Sequence, residues 1–199
     1  MRAFVCFFVF SIYLFAQSHE SSRLFAIPKE MDKTWPDAVL GDSEEKLLEE
    51  SVAPDLRGLE QNCEEKPKFE SLRKTSIALG KLGQGVLVAT SSRCSCGGTG
   101  NCPIYLYVRD KDRYREVLGN GKRVPYSWAF AVVDSEADIP DIVLATHSSA
   151  RQVRLAKYRY VGERFAQLSC ETLTAKSAGS VPRSWWDPNE VIVRPCERQ

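Results

Sequence analysis

From Phe69 to Ser169 the chain alternates short runs rich in Val, Ile, Tyr and Phe with turns made of Gly, Asn, Asp and Pro. This pattern constrains the fold more than any other feature. Such runs are too short for ordinary helices, and their residue types suit a pleated surface packed on at least one face. They predict strands at 76–79, 85–90, 104–109, 114–118, 128–133, 142–145, 154–160 and 164–169. Tyr105, Tyr107 and Arg109 alternate with Leu106 and Val108, as a strand with two different faces requires. Asn120-Gly121 is a tight-turn dipeptide. Upstream, Asp42 or Ser43 can cap a helix whose first turn carries Glu44 and Glu45, where the helix dipole favours negative charge. Leu47, Leu48 and Val52 give that helix one apolar face, and Pro54 is expected to stop it, with a short turn over 55–61 beyond.

The strand runs repeat. Val86-Leu-Val-Ala-Thr90 matches Ile142-Val-Leu-Ala-Thr146 at an offset of 56, and Tyr107 with Asp112-Arg113-Tyr114 matches Tyr158 with Glu163-Arg164-Phe165 at an offset of 51. The difference is a longer, cysteine-rich loop in the first copy. Two matched blocks in the same order predict two structural units. The expected fold is mainly β, with α+β as the alternative. Two repeated β-meander units form one compact sheet domain, capped by the N-terminal helix and stapled by disulfides.

The second unit, Asp138-Ile-Pro-Asp-Ile-Val-Leu-Ala145 followed by Tyr158-Arg-Tyr-Val-Gly-Glu-Arg-Phe165, resembles an FG-GAP-like β-propeller blade. The loop Cys94-Ser-Cys-Gly-Gly-Thr-Gly-Asn-Cys102 together with that unit resembles a group of small exported bacterial proteins. The resemblance covers Ser76 to Cys170, about half of the chain. It implies blade-like meanders, and calcium in the blades that carry the metal motif. Here that stretch reads Asp134-Ser-Glu136-Ala-Asp138-Ile139. Its acids alternate, but Ile139 stands where a glycine would make the sharp turn, so a solvated acidic turn is expected and no cofactor is assigned. Two units also fall short of the four blades that close a propeller.

The cysteines bear on the compartment. Arg2 precedes the apolar run Ala3–Ala16, which gives way to Gln17-Ser18-His19. Fourteen apolar residues fit the core of an export signal and fall short of a membrane span. The expectation is a signal over 1–18, cut after Ala16 or Ser18, and a linker over 19–41. A β-rich body follows over 42–173, and a tethered tail over 174–199. Of seven cysteines, Cys6 leaves with the signal. Cys63, Cys94, Cys96, Cys102, Cys170 and Cys196 remain, an even set suited to disulfides in a periplasmic or extracellular space. Cys94-Ser-Cys96 is too short to close on itself, so one of the two pairs with Cys102 and the other reaches elsewhere. A zinc site from these thiolates and His147 lacks the usual spacing, and a redox Cys-x-Cys has only Arg93 as a positive neighbour.

Little points to chemistry. With 27 Lys and Arg against 26 Asp and Glu, the chain lacks the basic footprint of a nucleic-acid binder, and 43% hydrophobic residues supply a core. No nucleophile elbow, zinc-protease helix or phosphate loop is present. His147, Ser148 and Asp141 have the types of a catalytic triad, but neighbours on a strand point to opposite sides. The reading is therefore a non-catalytic binding protein, with an envelope or extracellular protein as its partner and no transmembrane segment in the mature chain. Arg93, Asn101 and His147 would form its contact edge, because the loop 94–102 and the stretch near His147 occupy matching places in the two units. Trp185 and Trp186, in the Pro-flanked tail, are further candidates, either as an exposed element or folded back over a sheet. A glycan hydrolase with paired carboxylates and a structural envelope component are the alternatives.

Overall fold

The structure is a computed structural model that describes residues 31, 33–59, 68–90, 95–119, 124–177 and 181–196. The signal, Cys63, Arg93, Cys94 and the Asn120-Gly121 turn lie outside the described residues. The protein is mainly β. Helix α1 (Asp42–Leu59) precedes strands β1 (Arg73–Ala78), β2 (Gln84–Ala89), β3 (Cys102–Asp110), β4 (Arg113–Glu116) and β5 (Tyr126–Ser127). Then come β6 (Ala129–Val133), β7 (Asp141–Ser149), β8 (Gln152–Val161), β9 (Arg164–Ala175) and β10 (Val191–Pro195).

The strands form two sheets. The first runs β1-β2-β3-β4 with β5 added beside β3, and the second runs β10-β9-β8-β7-β6. All pairings are antiparallel between chain neighbours, except the short β3–β5 pair. Across the first sheet Ser76 faces Val86, which faces Tyr107. Across the second, Val132 faces Ile142, which faces Tyr158. These positions lie 56, 56 and 51 residues apart, the offsets of the matched sequence blocks.

Both sheets are apolar on both faces, which is why runs such as Ile104–Val108 and Ile142–Ala145 are buried without alternation. The inner faces pack together through Ile77, Leu87, Leu106, Val108, Ile142, Leu144 and Phe165. Each outer face then needs its own cover. On the first sheet, Val86, Val88, Tyr105, Tyr107 and Tyr114 lie under α1, through Leu48, Val52 and Leu56. On the second, Ala131, Val143, Val153, Leu155, Leu173 and Val191 lie under Trp185 of the tail and Met31 of the N-terminal arm. The layers are thus helix, sheet, sheet and tail.

Helix α1 does not end at Pro54, as its sequence predicts, but continues to Leu59. Leu48, Val52 and Leu56 recur every four residues and are all buried, and Asp55 accepts a hydrogen bond from the Tyr107 hydroxyl. These contacts outweigh the backbone bond that proline removes, a cost of about 3 kcal/mol. The arm before the helix is also part of the fold. Pro36 accepts from the amide of Ser76, and Ala38 donates to Lys74, so the arm runs along the edge of β1. There Trp35 stacks on Phe130 of the second sheet at 5.0 Å.

The turn between β1 and β2 docks on the acidic turn before β7. The amide of Lys81 donates to the carbonyl of Asp138 at 3.1 Å, and its ammonium pairs with the Asp138 carboxylate. Gly80 sits at φ +59, and a side chain there would come within 2.0 Å of that carbonyl oxygen. Only glycine satisfies both conditions. Two disulfides complete the fold, Cys96–Cys102 and Cys170–Cys196. The first closes the glycine-rich loop as its spacing predicts.

Candidate functional site

The two units differ most where their second strand ends. After β7 the chain turns back at once, with a register shift between His147 and Ser149. After β2 it enters the long loop that Cys96–Cys102 closes. Within the loop, the amide of Gly97 donates to the carbonyl of Asn101, and that of Gly100 to the carbonyl of Gly97. Gly100 supports this tight turn at φ +77. Ser95, buried, donates its hydroxyl to Thr90 at 2.7 Å. The residues from Gly97 to Gly100 are exposed, and their side chains are small.

Asn101 ties this loop to the second unit. Its side-chain carbonyl accepts the His147 amide at 2.8 Å, while its side-chain amide donates to the His147 carbonyl at 2.8 Å and to Thr99 at 2.7 Å. An amide side chain offers one acceptor and two donors, and here all three bonds are made. It acts as a one-residue strand, pairing with the backbone of β7 where no neighbouring strand reaches.

An aromatic cluster lies beside this clamp. The His147 ring stacks on Trp128 at 4.7 Å, and Trp128 stacks on Trp186 at 5.2 Å. Trp185 meets His147 edge-on at 5.8 Å. Trp128 and Tyr126 are 37% and 44% exposed, while Ser127 between them is buried. The Ser127 hydroxyl faces the carbonyls of Ala129 and Ala145, and Thr146 donates to the carbonyl of Tyr126 at 2.6 Å. Tyr126 pairs with Pro103, next to Cys102, so the disulfide loop and the aromatic rings share one end of the molecule. Burial lowers the pKa of His147 below the ordinary imidazole value, which keeps the ring neutral at pH 7.

Four candidates from the sequence therefore come together, namely Asn101, His147, Trp185 and Trp186, while Arg93 lies outside the described residues. Their parts differ. Trp185 is buried in the core of the second sheet, and Trp186 is half-buried against Trp128. Sequence reasoning missed Tyr126 and Trp128. The local signal, aromatic–serine–aromatic, reads by alternation as aromatic inside and serine outside, and the structure reverses it because the Ser127 hydroxyl has two carbonyls to meet.

The carboxylates lie elsewhere. Asp141 is fully buried and accepts from Arg159 at 2.8 and 2.9 Å and from Lys157 at 3.0 Å. Burial alone would raise its pKa, but the two cations outweigh it and hold the group below its usual value. It is thus occupied with these cations and not with His147. Glu116 accepts from the amides of Leu118 and Gly119, yet burial still raises its pKa. The alternating acids Asp134, Glu136 and Asp138 do not converge, and among the described residues no group of three or more acidic, His or Cys residues is placed to hold a metal. No helix among the described residues is long and apolar enough to cross a membrane. No protein-family model, curated protein or solved structure matches the chain.

Proposed function

We propose that the protein is an exported binding protein, without catalysis, whose contact edge is the patch where the disulfide loop 96–102 meets the end of β7. The observation that carries this reading is the Asn101 clamp. Three hydrogen bonds and a disulfide hold an exposed, small-residue loop rigidly beside exposed aromatic rings. Ordering such a surface before contact removes much of the entropy cost of binding. Exposed aromatic residues are the side chains most often found to dominate interfaces. The disulfides and the apolar run at 3–16 support an oxidising compartment, periplasmic or extracellular. The matched offsets support descent of the two units from one blade-like meander, with α1 and the tail covering the faces that further blades would cover in a closed propeller.

Capture from the native periplasmic or extracellular fraction tests the proposal. The mature, oxidised protein is compared with the double variant Asn101→Ala/His147→Ala, whose folding is checked by circular dichroism. A partner retained by the first and lost by the folded variant supports the contact edge. Equal capture by both refutes it.

One observation favours the hydrolase reading. Asp134 and Asp138 line the same recess, of about 480 Å³, with Lys33 and Trp35. However, the Asp138 side chain is 65% exposed and paired with Lys81, and a carboxyl acid that must keep its proton near neutral pH needs an apolar pocket. Turnover of oligosaccharides abolished in Asp134→Asn would revive that reading.

A further inference from the structure

We propose that the patch formed by Tyr126, Trp128, Trp186 and His147 binds a neutral pyranose glycan, which makes the partner of the contact edge a carbohydrate or the sugar chain of a glycoconjugate. This inference rests on the binding function proposed above and names its ligand.

The chemistry of the patch narrows the choice. None of its side chains is ionised, since burial keeps His147 neutral. A phosphate or carboxylate ligand would require Arg or Lys forks, and a cationic one would require carboxylates. The ring of Tyr126 is 44% exposed and stacks on no other ring among the described residues. An aromatic face is electron-rich, and the axial C–H groups on one side of a pyranose are weakly positive, so the two attract and exclude water. Each ring also carries a polar end. The Tyr126 hydroxyl, the indole N–H groups of Trp128 and Trp186 and the imidazole nitrogens of His147 have no side-chain or backbone partner among the described residues. A neutral imidazole offers one donor and one acceptor, the pair that a sugar hydroxyl uses. An apolar peptide laid on the same rings would strip these groups of water and return no hydrogen bonds, a penalty that disfavours it. The stack of His147, Trp128 and Trp186 fixes the donors in place, and the Asn101 clamp fixes His147.

The test uses the mature, oxidised protein with cellohexaose, chitohexaose and maltohexaose, three neutral chains of different linkage or substituent, and with a decaproline peptide as the competing class. Binding is followed by tryptophan fluorescence and confirmed by calorimetry. Saturable binding of at least one sugar is expected, weakened about tenfold or more by Tyr126→Ala, as removal of a central aromatic contact requires. Tyr126→Phe keeps the ring face and should retain most of the affinity. Tyr126 is exposed and its fold contacts are through its backbone, so these variants keep the fold. Three results would overturn the proposal: no binding by any sugar at millimolar concentration, binding indifferent to Tyr126→Ala, or binding of decaproline alone. If sugars fail while Asn101→Ala/His147→Ala still loses a captured partner, the contact edge stands and the glycan assignment falls. If the variant changes neither readout, both fall.

Discussion

The two outer faces of the molecule solve one problem in different ways. The first sheet presents tyrosines, and its cover is a regular helix whose Asp55 meets the Tyr107 hydroxyl and whose Glu45 pairs with Lys74 at 2.9 Å. Burial first, and then the Asp55 hydrogen bond, raise the Tyr107 pKa, so the phenol stays a donor. The second sheet presents only small and aliphatic residues, and its cover is an irregular tail that inserts Trp185 and is tethered by Cys170–Cys196. A polar face can specify its partner through hydrogen bonds, whereas an apolar face accepts any chain of the right shape. The second cover therefore needs a covalent tether and a large anchor. The same tail carries Trp186 to Trp128, so the cover of the second sheet also builds part of the contact edge.

The largest break in this comparison should come from Trp185→Ala. Removing a buried tryptophan costs about 3–5 kcal/mol, and urea denaturation should show this loss together with exposure of Trp186 to quenchers. Next comes the tether. Replacing both Cys170 and Cys196 by Ser should cost roughly 3 kcal/mol through restored freedom of the unfolded loop, measured by thermal unfolding, with α1 unaffected. The helical cover should respond less. Asp55→Ala leaves the Tyr107 hydroxyl buried without its acceptor, at about 1–3 kcal/mol, and amide exchange should quicken in α1 but not in β10. The smallest effect is that of pH. His147 has a lowered pKa in the fold, so its contribution is complete above the unfolded value of about 6.5 and is lost as pH falls through the folded value. Wild-type stability should therefore decline on acidification below that point, and His147→Gln should reduce the slope in a denaturation series.

Much of the fold was legible in the sequence because it is written locally. Strand runs bounded by glycine and asparagine place nearly every strand, and the offsets of 56 and 51 foretell the shared register of the two units. Helix α1 was legible in its cap and its apolar stripe but not in its length, since the contacts that carry it past Pro54 come from Tyr107 and the core beneath. That the strands divide into two sheets is set by packing on both faces, which periodicity cannot distinguish from any buried run. At the site, the matched positions of the loop and His147 led to Asn101 and His147. Tyr126 and Trp128 escaped because their exposure depends on a buried serine and on a tail more than fifty residues away.

The central claim is that binding occurs at the junction of loop 96–102 with β7. Hydrogen-exchange footprinting of the mature, oxidised protein with its bound partner or glycan tests it most directly. Protection is expected at 96–102, 126–128 and 146–148, with α1 unchanged. Protection confined to α1 or to the acidic turn 134–138, with the junction exchanging as in the free protein, would contradict it.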